Sequence, residues 1–213
     1  PWAAQRAGDN VALQAPRAAD PNANYTYPMP VVIGGTYYEL ALHENLLWWQ
    51  LAPHDGYESS RSYQIVAEAL DTVAEATPDA CRALIFIPTK EQLYYEYIDW
   101  GARRWLLPVA QRPTPLENGI LVLQPDARSK DSREDDADLI AHLSDQRDAV
   151  AALAAEKGWI FVDLLEPFRE RVAQGELLYY QYDTHWNQAG HDLAAALIVN
   201  AMRQHPECPL TFE

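Results

Sequence analysis

Cysteine is almost missing from this chain. Cys81 and Cys208 are its only two in 213 residues, too few for a scaffold built on disulfides. Long apolar runs are missing too, and none approaches the roughly 20 residues that a membrane-spanning helix needs. The opening residues, Pro1-Trp2-Ala3-Ala4-Gln5-Arg6, have neither the charged start nor the apolar centre of a signal peptide. The first residue is not Met, so processing, an expression boundary or a truncated reading frame leaves room for sequence upstream. Basic side chains are scarce, 16 against 31 acidic, for a net charge of -15. That balance disfavours docking on nucleic acid or anionic lipid and suits neutral or cationic partners. Finally, no Gly-Asp-Ser or Gly-x-Ser-x-Gly segment is found, so the usual marks of a serine nucleophile are lacking.

What is present suffices for one sizeable core. Apolar residues make up 48% of the chain, and the length fits one domain or a domain with an appendage. Residues 1–24 show no sustained period and read as a loose arm. Tyr25 to His43 gives two β-rich stretches around Gly34-Gly35, the pattern of a tight hairpin whose glycines supply positive φ. A short helix over Glu44 to Leu51 carries Leu46, Leu47, Trp48 and Trp49. A second, Ser59 to Ala76, aligns Ile65, Val66, Ala69, Leu70 and Val73 on one side, and both helices are expected to face the core. Ser59, Ser60 and Ser62 read as capping residues.

Cys81 opens an apolar run whose Ala83 to Ile87 portion, closed by Pro88, reads as a strand buried on both faces. A helix is expected over Glu91 to Ile98, with Leu93, Tyr94, Tyr97 and Ile98. Gly101 to Pro115 reads as an irregular connection, Ile120 to Leu123 as a short strand, and Asp126 to Asp138 as charged and flexible. Leu139, Leu143, Val150, Leu153 and Ala154 mark a long helix stopped by Gly158. Trp159 to Val162 follows as a buried strand. Asp163 caps the next helix, Leu164 to Ala173, and a last helix over Gln188 to Gln204 turns Leu193, Ala194, Leu197, Ile198 and Ala201 inward. The order is that of an α/β protein. Two or three parallel strands are few for an open sheet, which hints at a lost N-terminal portion. Cys81 at a strand start and Cys208 after the last helix both fall at the bottom of such a sheet; a disulfide is one reading, and two unpaired thiols the one that cysteine statistics favour.

The chemistry-bearing segment is Tyr182-Asp183-Thr184-His185-Trp186-Asn187-Gln188-Ala189-Gly190-His191. An imidazole becomes a useful general base when a carboxylate fixes its tautomer and stabilises the imidazolium, and Asp183 with His185 supply that pair. Asp-x-His-Trp-Asn followed by Gly-His resembles the C-terminal block of SGNH/GDSL-type hydrolases, in the branch that O-acetylates alginate and other polysaccharides. Ile87-Pro88-Thr89-Lys90-Glu91, with Tyr94 and Tyr95 beyond, and Phe161-Val162-Asp163-Leu164 resemble further segments of that branch. The similarity runs over about residues 58 to 204, so a partial SGNH-like domain over 25–213, hairpin included, is expected. What it implies is a three-layer α/β/α, flavodoxin-like fold with a mainly parallel, incomplete sheet. It also implies a serine nucleophile, an oxyanion hole of Gly and Asn donors, His185 as base and Asp183 as its orienting acid. The substrate class implied is a carbohydrate or acyl ester, and an extracytoplasmic location is the lean.

The family's serine block and its Gly-x-Asn-Asp block have no counterpart here. Relatives place the serine either well before or after the Asp-x-His segment, so a lost segment on either side could hold it; with only 22 residues after His191, an upstream loss is favoured, and the competing reading is a non-catalytic carbohydrate-binding or assembly module. Thr36, after Val31-Val32-Ile33-Gly34-Gly35, superficially matches an apolar strand ending in a nucleophile, although a hairpin explains the paired glycines without chemistry. Trp186, Asn187, His191 and Lys90 are candidates to line the cleft. Each has a plainer role: Trp186 packing the loop, Asn187 capping the last helix, His191 structural within its first turn, Lys90 a surface lysine opening a helix. Asp183, His185 and His191 also suit zinc or a harder cation. No further Cys or His motif completes a ligand set, so neither metal nor cofactor is expected. The 7 Trp and 12 Tyr suit sugar stacking and ordinary packing alike.

Overall fold

A computed structural model describes residues 26–43, 57–106, 111–115, 121–125, 133–206 and 208. The expected arm over 1–24 and helix over 44–51 lie outside them. Strands β1 (Thr26–Ile33) and β2 (Thr36–His43) pair antiparallel, with Ile33 opposite Thr36 across Gly34 and Gly35. Both glycines have positive φ, 55° and 79°, which the tight connection requires and which side chains with a Cβ resist. Along β1 the pleat alternates: Met29, Val31 and Ile33 are buried while Val32 is exposed. Leu40 and Leu42 of β2 join them on the inner face.

A parallel pair forms the second sheet. β3 (Ala83–Phe86) lies beside β6 (Ile160–Asp163), with Ala83 opposite Ile160 and Phe86 opposite Asp163. β4 (Gln111–Pro115) and β5 (Leu121–Pro125) form an antiparallel pair. The short strand expected near 120–123 therefore exists as β5 but does not extend the parallel sheet, and part of the presumed irregular stretch 101–115 is strand. Residues 101–106 of it are helical. Among the described residues the helices in chain order are α1 (Arg61–Ala76), α2 (Lys90–Tyr94), α3 (Trp100–Leu106), α4 (Arg133–Ala141), α5 (Asp145–Glu156), α6 (Leu165–Ala173) and α7 (Gln188–Arg203). Helix α4 begins inside the segment read as flexible. The mixed architecture, with an antiparallel hairpin and a parallel pair, is thus the α/β type anticipated.

Several differences have local causes. The helix expected over 91–98 stops at Tyr94, passes through a 3-10 turn at Tyr95–Tyr97, and leaves Ile98 bridged to Val31 of the hairpin. The long helix through 139–154 is broken at 142–144, because the Leu143 carbonyl accepts Gln92 Nε2 at 3.0 Å and the ladder restarts with Asp148 N–H on Ser144. Gly158, at φ 67°, ends α5 as expected. Ser60 caps α1 through the Tyr63 amide at 3.2 Å, and Asp163 accepts the Leu165 amide at 2.8 Å. The apolar stripe of α1 does not face the core: Leu70 is buried, but Ile65, Val66 and Val73 are exposed. Periodicity reports an apolar face, not what covers it. β3 is likewise open in part, with Ile85 exposed at its middle and Ile87 just beyond it.

The core joins the hairpin's inner face to Phe86, Leu93, Tyr94, Tyr95, Val162, Leu165, Phe168, Val172 and Ala194. Each fully buried Leu or Phe contributes about 1.5–3 kcal/mol. Cys81 and Cys208 are joined by a disulfide, with Cα atoms 5.4 Å apart, which corrects the preference for free thiols. It ties the entry to β3 to the end of α7.

Candidate functional site

Between α6 and α7 the chain makes a narrow loop beyond the C-terminal ends of β3 and β6, where open α/β sheets present their sites. Its neck is ladder-like. Tyr179 bridges Trp186, the Asn187 amide donates to Leu178 O at 3.0 Å, and the Tyr180 amide donates to His185 O at 3.1 Å. Residues 180–185 are left as the tip. Trp186 fixes the base of the tip by packing on Phe168, Tyr179 and His191, with ring centroids 5.4, 6.5 and 5.5 Å away.

The tip carries the pair read from the sequence. Asp183 Oδ1 accepts from His185 Nδ1 and also from the His185 backbone amide, the latter at 2.9 Å. One carboxylate oxygen thus holds both ends of the residue it orients. The His185 side chain and its amide, in that order, hold the Asp183 carboxyl below its ordinary range. The pair is open to solvent, the His185 side chain being 81% exposed and that of Asp183 55%. With Nδ1 engaged, Nε2 is the nitrogen free to take a proton.

Asn187 has two tasks. Its Oδ1 accepts the Gly190 amide at 3.0 Å, capping α7 as expected, and its Nδ2 donates to Leu177 O at 2.6 Å. Gly190 is needed for a reason that sequence periodicity does not disclose. A Cβ there would stand 2.3 Å from the Leu178 carbonyl oxygen. His191 is exposed at the first turn of α7, its ring edge-on to Trp186.

Lys90 is not the surface lysine that its place at a helix start suggested. It is 1% exposed, and its Nζ donates to the backbone oxygens of Tyr180, Gln181 and Asp183 at 2.7, 2.7 and 3.1 Å. Burial lowers its pKa to about 8, against the opposing pull of Glu91 and Asp183. Thr89 and Gln92 form a capping box that fixes the turn from which Lys90 projects. Tyr94 Oη accepts the Leu178 amide at 2.9 Å, and Tyr179 Oη donates to Pro88 O. The Ala41 amide of β2 donates to Gln181 O at 2.7 Å. Tyr94 stood in a segment already noted for its resemblance; nothing in the sequence pointed to Ala41.

Thr36 is not brought to the pair. It begins β2 beside the turn, where Gly34 packs against Gly175 so closely that a Cβ on Gly34 would lie 2.8 Å from its α-carbon. Ala41, which does reach the loop, is five residues farther along the strand, on the order of 16 Å away. Among the described residues no group of three or more His, Cys, Asp or Glu is placed to hold a metal ion.

The Asp-x-His-Trp-Asn segment thus presents a carboxylate-held, solvent-facing imidazole. Residues 120–211 match the family described as SGNH hydrolase-like domain, acetyltransferase AlgX. The matched stretch contains Asp183, His185, Trp186, Asn187 and Gly190, so the C-terminal part of the chain is similar to part of an SGNH-like domain. No curated protein and no solved structure matches the chain significantly. Lys90, Tyr94 and Ala41 lie upstream of the stretch that matches the SGNH-like family. Among the described residues no helix is long and apolar enough to cross a membrane.

Proposed function

We propose that residues 25–213 form an SGNH-like unit carrying the acid–base part of an acyl-transfer site, that of an ester hydrolase or O-acetyltransferase acting on a carbohydrate. The observation that carries this reading is the contact from Asp183 Oδ1 to Nδ1 of an otherwise exposed imidazole. In the reaction a serine oxygen attacks the acyl carbonyl carbon as its proton passes to His185 Nε2. Asp183 stabilises the imidazolium. The carbonyl re-forms as the bond to the leaving alkoxide breaks, and the alkoxide takes the proton back from Nε2. Water or a sugar hydroxyl then repeats the sequence on the acyl-serine, regenerating the serine and releasing the acid or the new ester. The serine comes from a segment outside this chain, in keeping with the missing Gly-Asp-Ser block and the remoteness of Thr36.

A second reading, a carbohydrate-binding or assembly module without chemistry, is favoured by the exposed rings of Tyr180 and Tyr182 beside the pair, since aromatic faces offer apolar surface to a sugar. A serine-reactive phosphonate separates the two. Labelling of a longer polypeptide that includes upstream sequence, with none on this chain alone, supports the enzyme; no labelling of either, with retained binding to an immobilised polysaccharide, supports the module. The disulfide favours an oxidising compartment, which non-reducing mass measurement on protein from its native source tests.

A further inference from the structure

One ammonium group gives the loop tip as many hydrogen bonds as the tip makes within itself. A Lys90 Nζ with three N–H donors meets three backbone carbonyls, those of Tyr180, Gln181 and Asp183, so its donor capacity is filled. Two of these carbonyls lie two and three residues before Asp183 and the third is its own, so all three sit on the stretch that leads into the carboxylate orienting His185. Their convergence on one point sets the curvature of the tip, and that curvature lets a single Asp183 oxygen reach both the amide and Nδ1 of His185. A buried charge is costly unless hydrogen-bonded, and here every bond that offsets the cost goes to the backbone of the tip. We propose that Lys90 is the positioning residue of the Asp183–His185 pair, holding carboxylate and imidazole together before any substrate arrives. The proposal rests on the reading of that pair as the acid–base machinery, and it assigns the setting of its geometry to a residue 93 positions from Asp183.

Nuclear magnetic resonance of the His185 ring tests it without requiring turnover. In the folded wild type, the Asp183 contact at Nδ1 biases the ring to the tautomer protonated there, which the two ring nitrogen shifts report, and Asp183→Asn removes that bias directly. Lys90→Met keeps the aliphatic stem and removes the donors. The expected result is a protein with unchanged circular dichroism whose ring nitrogen shifts have returned to those of an unconstrained histidine. A folded Lys90→Met protein that keeps the wild-type tautomer bias overturns the proposal.

Should that variant not fold, the wild type supplies the answer. The Lys90 ammonium faces the carboxyls of Glu91 on its own helix and Asp183 on the loop, and its titration is followed at Nζ. The backbone carbon shifts of 180–185 and the His185 ring nitrogens are expected to shift with the same midpoint; a loop indifferent to loss of the Lys90 proton overturns the assignment. Loss of the tautomer bias together with absent phosphonate labelling in every longer polypeptide would keep the positioning and remove the chemistry, so the two readings fail separately.

Discussion

Gly190 sits under the Leu178 carbonyl so closely that a methyl group on its α-carbon would stand 2.3 Å from that oxygen and 3.0 Å from the Trp186 Cβ. Neither neighbour is a flexible side-chain end; both belong to the neck of the site loop. Gly190→Ala therefore pushes α7 and the loop apart. A loss of about 1–3 kcal/mol, the range for overpacking a tight site, is expected in urea unfolding, together with broadening of the Trp186 and His185 resonances.

His185→Gln in a longer, active polypeptide should lower the rate of serine labelling about 10²–10⁴-fold, the usual contribution of a positioned base. Asp183→Asn should lower it too, through loss of the ring's orientation. The pH dependence follows from the lowered Asp183 pKa. A carboxyl held below its ordinary value contributes its interaction above that value and loses it only as pH falls through the lowered one. The contact between Asp183 and His185, read from Asp183 carbon shifts, is expected to persist into acid beyond the range in which an ordinary aspartate titrates.

Lys90 works in the opposite sense. Its folded value of about 8 lies below the ordinary 10.5, so the penalty for burying its charge is complete below pH 8 and relieved as pH climbs to 10.5. A drop of about 2.5, at about 1.4 kcal/mol for each pH unit, amounts to about 3–4 kcal/mol. Wild-type stability measured against Lys90→Met should therefore rise between pH 8 and 10.5 by up to that amount. A flat difference across this window contradicts the burial of a charged group there.

The disulfide closes a chain separation of 127 residues. By the entropy of loop closure, such a cross-link stabilises by up to about 5 kcal/mol. Cys208→Ser should lower the unfolding free energy by about 2–5 kcal/mol, as should mild reduction. An unchanged melting temperature on reduction would mean that the unfolded chain is not restrained there.

What was readable in the sequence was local. The approach of Asp183 to His185 spans two residues, the Gly34-Gly35 turn is its own signal, and the caps at Ser60, Asp163 and Asn187 act within three positions. What escaped is set by partners far along the chain. Gln92 breaks a helix 51 residues away, and Lys90 looks like an ordinary helix-start lysine until the loop 90 residues later folds over it. The stripe Ile65, Val66 and Val73 has the right spacing for burial, but a spacing says nothing about whether a neighbour exists to cover it.

The bond from the Ala41 amide to the Gln181 carbonyl bears on how this protein can be divided. A cut at residue 119 would deliver the whole stretch that matches the family, with Asp183 and His185 intact, and would leave behind the hairpin, the ammonium of Lys90 and the hydroxyl of Tyr94. Such an excised piece would own the acid and the base and nothing upstream to hold them in step.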